Sequence, residues 1–174
     1  LVPALDDKSA SRELAKFGKG KRRAERHNRR KVRRLRGLGS TRRLEVLPLV
    51  DWHAAEEGLK TETGVSYLVR TDANTILLDT GLNGDDEDPS PLLQNMGRLG
   101  VSLGDVDTFF ITHNHGDHVG GGKWAEKRTF SVTGRQVPLG DVKVYAPTEM
   151  TYPGLKPVYA RDPQVIGEGV ASTG

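Results

Sequence analysis

Six consecutive positions, His113-Asn114-His115-Gly116-Asp117-His118, hold four side chains able to ligate a metal. The residues just before them, Asp-Thr-Phe-Phe-Ile-Thr at 107–112, read as a short buried strand; Val119 and three glycines follow. A strand that delivers polar ligands at its C-terminal end points to a layered α/β fold, because open α/β sheets collect functional groups there. Neutral imidazole and carboxylate suit zinc and its divalent neighbours. His113 and His115, two apart, can turn toward one ion, and Asp117 and His118 can then face a second. Gly116 and Gly120 to Gly122 remove side chains where the loop must wrap closely. A surface histidine cluster explains neither the apolar strand nor the placing of three of the chain's five histidines in six positions.

The sequence around this string is organised to match. Residues 44–50, 65–70 and 75–79 read as strands, with Thr71-Asp72-Ala73-Asn74 as a hairpin turn between the last two. Leu92, Leu93, Met96 and Leu99 fall at helical spacing, with Ser90 placed to cap the helix and Gly100 to end it. Residues 142–146 and 165–171 read as further strands.

Charge divides the chain in two. The 174 residues have a formal net charge of +3. Residues 1–43, a basic arm, hold sixteen basic and four acidic side chains; residues 44–174 hold ten and nineteen. The arm carries few apolar residues. Helical pieces over 11–17 and 24–36 are expected, with Gly18 and Gly20 interrupting anything longer, or else a solvated, disordered arm. Its charge suits an anionic membrane surface. Nucleic acid is the poorer partner, since only Phe17 interleaves with the cations for stacking. The absence of cysteine excludes disulfides, thiolate metal sites and a thiol nucleophile from this chain. No stretch approaches the ~18 apolar residues of a membrane span. The expected location is cytoplasmic, or peripheral on the cytoplasmic face of a membrane.

The His-x-His-x-Asp-His string, with Leu77-Leu78-Asp79-Thr80-Gly81 before it, closely resembles the metallo-β-lactamase fold superfamily, over roughly residues 44–174. The run looks most like the branch that includes the ribofuranosylaminobenzene phosphate–dihydropterin synthase. The resemblance implies a four-layer αββα sandwich with two divalent metal ions, zinc first and iron or manganese as variants. It implies that His113 and His115 bind one ion, and Asp117 and His118 the second or a water between the two. Asp79 would hydrogen-bond behind these ligands and orient an imidazole. A water acidified by metal, from a pKa of about 15.7 toward 7, would attack an ester, amide or phosphoester of a small molecule, with Asp117 orienting it or moving its proton.

One departure from the family pattern matters. Complete members take further ligands from their C-terminal half, and no histidine follows His118. The expectation is therefore the N-terminal half of the sandwich, completed by a complementary C-terminal half. Trp52 and His53, in the loop between the first two strands, are the candidates for substrate contact, though packing and surface roles suit them as well. The acidic run at 85–88 reads as a solvated loop. The alternative to a hydrolase is a non-catalytic scaffold attached through its arm. RNA processing is disfavoured by the acidic body.

Overall fold

The computed structural model describes residues 7–28 and 34–174. The chain divides into two compact units, residues 1–34 and 35–174. In the first, α1 (Asp7–Asn28) is one continuous helix of 22 residues. It runs through Gly18 and Gly20, which were expected to break it. The cost of about 1 kcal/mol per glycine is offset by the many Lys, Arg, Ala and Glu residues around them. Of the second expected piece, residues 24–28 lie in α1, 29–33 fall outside the described residues, and 34–36 are not helical. Among the described residues, no helix is long and apolar enough to cross a membrane.

The second unit is built on a six-stranded mixed sheet in the order β1-β2-β3-β4-β5-β6. Its strands are β1 (Leu44–Val50), β2 (Ser66–Thr71), β3 (Thr75–Leu78), β4 (Thr108–Phe110), β5 (Lys143–Ala146) and β6 (Val158–Tyr159). β1, β2 and β3 pair antiparallel; β3 to β6 pair parallel. The hairpin turn closes as its sequence requires, with Thr71 N–H donating to Asn74 O at 2.9 Å. Between β3 and β4 lies α2 (Pro91–Arg98), whose Ser90 cap accepts from Leu93 N–H at 3.2 Å. Residues 165–171 are not one strand. Glu168 and Gly169, the latter at φ 70°, turn the chain between β7 (Gln164–Gly167) and β8 (Val170–Ser172), a separate two-stranded hairpin.

The register lines up Leu47, Leu68, Leu77, Phe109 and Val144 across five strands. This row shares one core with Leu92 and Met96 of α2 and with Phe130, whose ring centroid is 5.7 Å from that of Phe109. Because strand side chains alternate, the neighbouring row of Pro48, Tyr67, Leu78, Phe110 and Tyr145 faces the other way. None of these five is fully buried. An apolar cleft of about 350 Å³ lies there, lined by Val69, Leu78 and Phe110 of the sheet and Ile166 and Val170 of the hairpin.

Candidate metal centre

The C-terminal ends of the adjacent parallel strands β3 and β4 bring Asp79 beside Thr112 and His113. Asp79 takes a left-handed φ of 57°, a conformation Asp tolerates better than most side chains. Its backbone is fixed by N–H donation to Phe110 O at 2.9 Å and by Ser66 Oγ–H donating to its carbonyl at 2.9 Å. The side chain is buried, at 2 % exposure, and both carboxylate oxygens are used. Oδ1 accepts from Thr112 N–H at 2.7 Å; Oδ2 accepts from Thr112 Oγ–H and from His118 Nδ1–H, each at 2.7 Å. Three donors compensate the burial of the carboxylate.

These bonds dictate the state of two imidazoles. His118 donates Nδ1–H to Asp79, which in the neutral ring leaves the Nε2 lone pair for a metal. Thr112 Oγ1 lies 3.0 Å from His113 Nδ1. Its one proton goes to Asp79, so it accepts from His113 Nδ1–H, and the Nε2 of His113 is left with a lone pair as well. One carboxylate thus orients His118 directly and His113 through a hydroxyl. Burial, followed by repulsion from His118 and His115, pushes the His113 imidazolium below the usual histidine range, which favours the neutral, ligating form.

The chain then turns into α3 (Gly116–Val119) and α4 (Gly122–Glu126). Gly120 ends α3 at φ 83°, and a Cβ there would run into Ser131 O, so no other residue fits without strain. The rings of His113 and His115 stand edge to face with centroids 4.6 Å apart, and those of His113 and His118 are 4.0 Å apart. Asp117 Oδ2 lies 3.4 Å from His118 Nε2. That is the spacing of two tetrahedral ligands, each about 2.0–2.1 Å from a shared zinc. The helix is tied to its surroundings through main chain: Thr80 N–H donates to His118 O at 2.9 Å, Val65 N–H to Asp117 O at 3.2 Å and Gly120 N–H to Gly81 O at 2.8 Å. Glu62 secures the adjoining loop, its carboxylate accepting from Leu82 N–H at 2.6 Å and Asn83 N–H at 2.9 Å.

His113, His115, Asp117 and His118 therefore share one loop with Asp79 behind it. In type and pairwise spacing these donors suit a divalent metal. Among the described residues, however, no group of three or more His, Asp or Glu side chains is arranged to hold one ion by itself. Trp52 and His53 are placed differently. Trp52 is 63 % exposed, and His53 lines a cleft with Leu47, Leu49 and Asn95 in which none of the four ligand candidates takes part. The acidic run is pinned as well as solvated, with Asp86 2.7 Å from Lys123 Nζ and Asp88 2.7 Å from Arg135 Nε. Sequence reading missed Thr112 and Glu62. The only signal for Thr112 was a hydroxyl placed directly before the first histidine; Glu62 had none.

The profile of the Metallo-beta-lactamase superfamily matches residues 59–171. Among solved structures, the chain is similar to Tm1679, a metal-dependent hydrolase of the beta-lactamase superfamily. The identity is 30% with a TM-score of 0.33, over 45% of this chain and 26% of that one. It is also similar to AidC, a dizinc quorum-quenching lactonase in complex with a product. There the identity is 26% with a TM-score of 0.32, over 47% of this chain and 25% of that one. The chain spans about a quarter of the length of these structures. No curated protein matches.

Proposed function

Given that the chain belongs to the metallo-beta-lactamase superfamily, we propose that it is a metal-dependent hydrolase of a small-molecule ester, amide or phosphoester. The observation that carries this reading is the chain of hydrogen bonds from His113 through Thr112 to Asp79 and back from His118, which engages both Nδ1 atoms and leaves both Nε2 atoms available to a metal. A divalent ion bound there, zinc first, supplies Lewis acidity and acidifies a water enough to make it a nucleophile near neutral pH. In this reading His113 and His115 would hold one ion, and Asp117 and His118 the second. Asp117, with a side chain 43 % exposed, stands where its free oxygen can take a proton from an attacking water and return it to the leaving group. Asp79 and Thr112 keep the imidazoles oriented throughout.

Two donors per ion leave a tetrahedral site incomplete. We therefore propose that further ligands come from a complementary C-terminal half, whose sheet would cover the row of Tyr67, Leu78, Phe110 and Tyr145. Metal analysis of the full protein together with its intact and native mass tests both statements. About two equivalents of zinc, lost in Asp117→Ala and His115→Ala, with ester hydrolysis lost in parallel, are expected. Absence of bound metal in the complete assembly would select the scaffold reading instead. Tight binding of two ions by a monomeric 174-residue chain would refute the need for a second half.

A further inference from the structure

We propose that α1 is an interfacial helix that lies on an anionic lipid bilayer, a role separate from the metal centre and independent of the hydrolase reading. At 3.6 residues per turn, Arg12, Lys16, Lys19 and Arg22 recur at i, i+4, i+7 and i+10 and form one stripe. Leu14 and Phe17, at i and i+3, centre on a direction about 180° from that stripe. They are the two most exposed large apolar side chains among the described residues, at 71 % and 72 %. The Leu14/Phe17 face also carries exposed Lys21 and Glu25, but the long Lys21 stem can lie along the acyl boundary while its ammonium reaches the headgroups. A cationic stripe opposite Leu and Phe still fits helices that rest in the bilayer interface. Cations are drawn to acidic headgroups, and the apolar pair leaves water for the acyl boundary.

The apolar pair decides between polyanions. A helix that follows a phosphate backbone uses its cations and gains nothing from a Leu and a Phe held in water, whereas a bilayer offers both an anionic surface and an apolar phase. The body cannot supply this attraction, because residues 44–174 carry nineteen acidic against ten basic side chains. The attraction therefore comes from the arm, in which α1 joins eight of the sixteen basic residues to the apolar pair.

The test is flotation of the full protein with vesicles of phosphatidylcholine containing about a third phosphatidylserine, against phosphatidylcholine alone. Binding to the acidic vesicles at low salt, weakened as salt rises, is expected. The exposed double variant Leu14→Asp/Phe17→Asp should lower partitioning by at least about tenfold. The triple variant Arg12→Gln/Lys19→Gln/Arg22→Gln should lower it roughly a hundredfold. Circular dichroism of each variant checks that its secondary structure is retained. No binding to the acidic vesicles would overturn the proposal. So would binding that ignores the Leu14/Phe17 change, and in that case tight duplex-RNA binding lost only in the triple variant would reassign α1 to nucleic acid.

Discussion

Thr112 makes two bonds that no other side chain in the centre could make from its position, donating to Asp79 Oδ2 and accepting from His113 Nδ1. Thr112→Val keeps the shape and removes both. The expected outcome is a 10–100-fold loss of metal affinity, the usual cost of deleting a partner behind a ligand, with Thr112→Ser close to wild type. The His113 Nδ1–H left without its acceptor should also destabilise the fold by about 1–3 kcal/mol. Equilibrium dialysis with zinc and urea unfolding measure the two effects. Asp79→Asn should cost more, because an amide presents one acceptor oxygen where the carboxylate presents two, and three donors meet there. The ligand string itself was plain in the sequence, since its chemistry lies in six adjacent letters. The Thr112 link was not, because it depends on a contact between residues 33 positions apart that exists only once β3 and β4 lie side by side.

At the scale of elements, carboxylates secure the loops beside the ligand candidates. Glu62→Gln leaves one oxygen where two backbone donors, Leu82 N–H and Asn83 N–H, require a pair. Amide exchange at these two positions should speed by about tenfold, and zinc affinity should fall with it, because the same loop bonds the ligand helix through Thr80 and Gly81. The acidic loop gives a pH prediction. Thr133 Oγ–H and Arg135 Nε–H hold the Asp88 carboxyl below the usual carboxylate range. Its folded pKa is lower than its unfolded one, so the stabilisation is present above the unfolded value, about 3.9, and is lost as pH falls through the folded one. Asp88→Asn should therefore be less stable than wild type at neutral pH, with the difference shrinking in acid; urea unfolding across pH 2–7 reads it. Strand alternation and the Ser90-Pro91 start made the strands and α2 legible. The two-residue β6 and the turn splitting β7 from β8 carry too little pattern to announce themselves. In α1 two glycines weigh less than the twenty helix positions around them.

For the whole molecule, the proposed metal would be linked to the fold. An ion that binds only the folded state at a hundred times its dissociation constant adds about 2.7 kcal/mol of stability. Chelation of the full protein should therefore lower its melting temperature by roughly 5–11 °C, and added zinc should restore it. The loss should be smaller in His115→Ala, which starts with weaker binding. The topology has one more consequence. β1, β3, β4 and β5 all point the same way, so the loops leaving their C-terminal ends, at 51–65, 79–90, 111–122 and 147–157, open on one edge of the sheet. The ligand candidates and Asp79 occupy only the second and third of these. The fourth, and the part of the first ahead of Glu62, can thus change in length and composition without touching the proposed metal centre, which would let the substrate vary while the reaction is inherited.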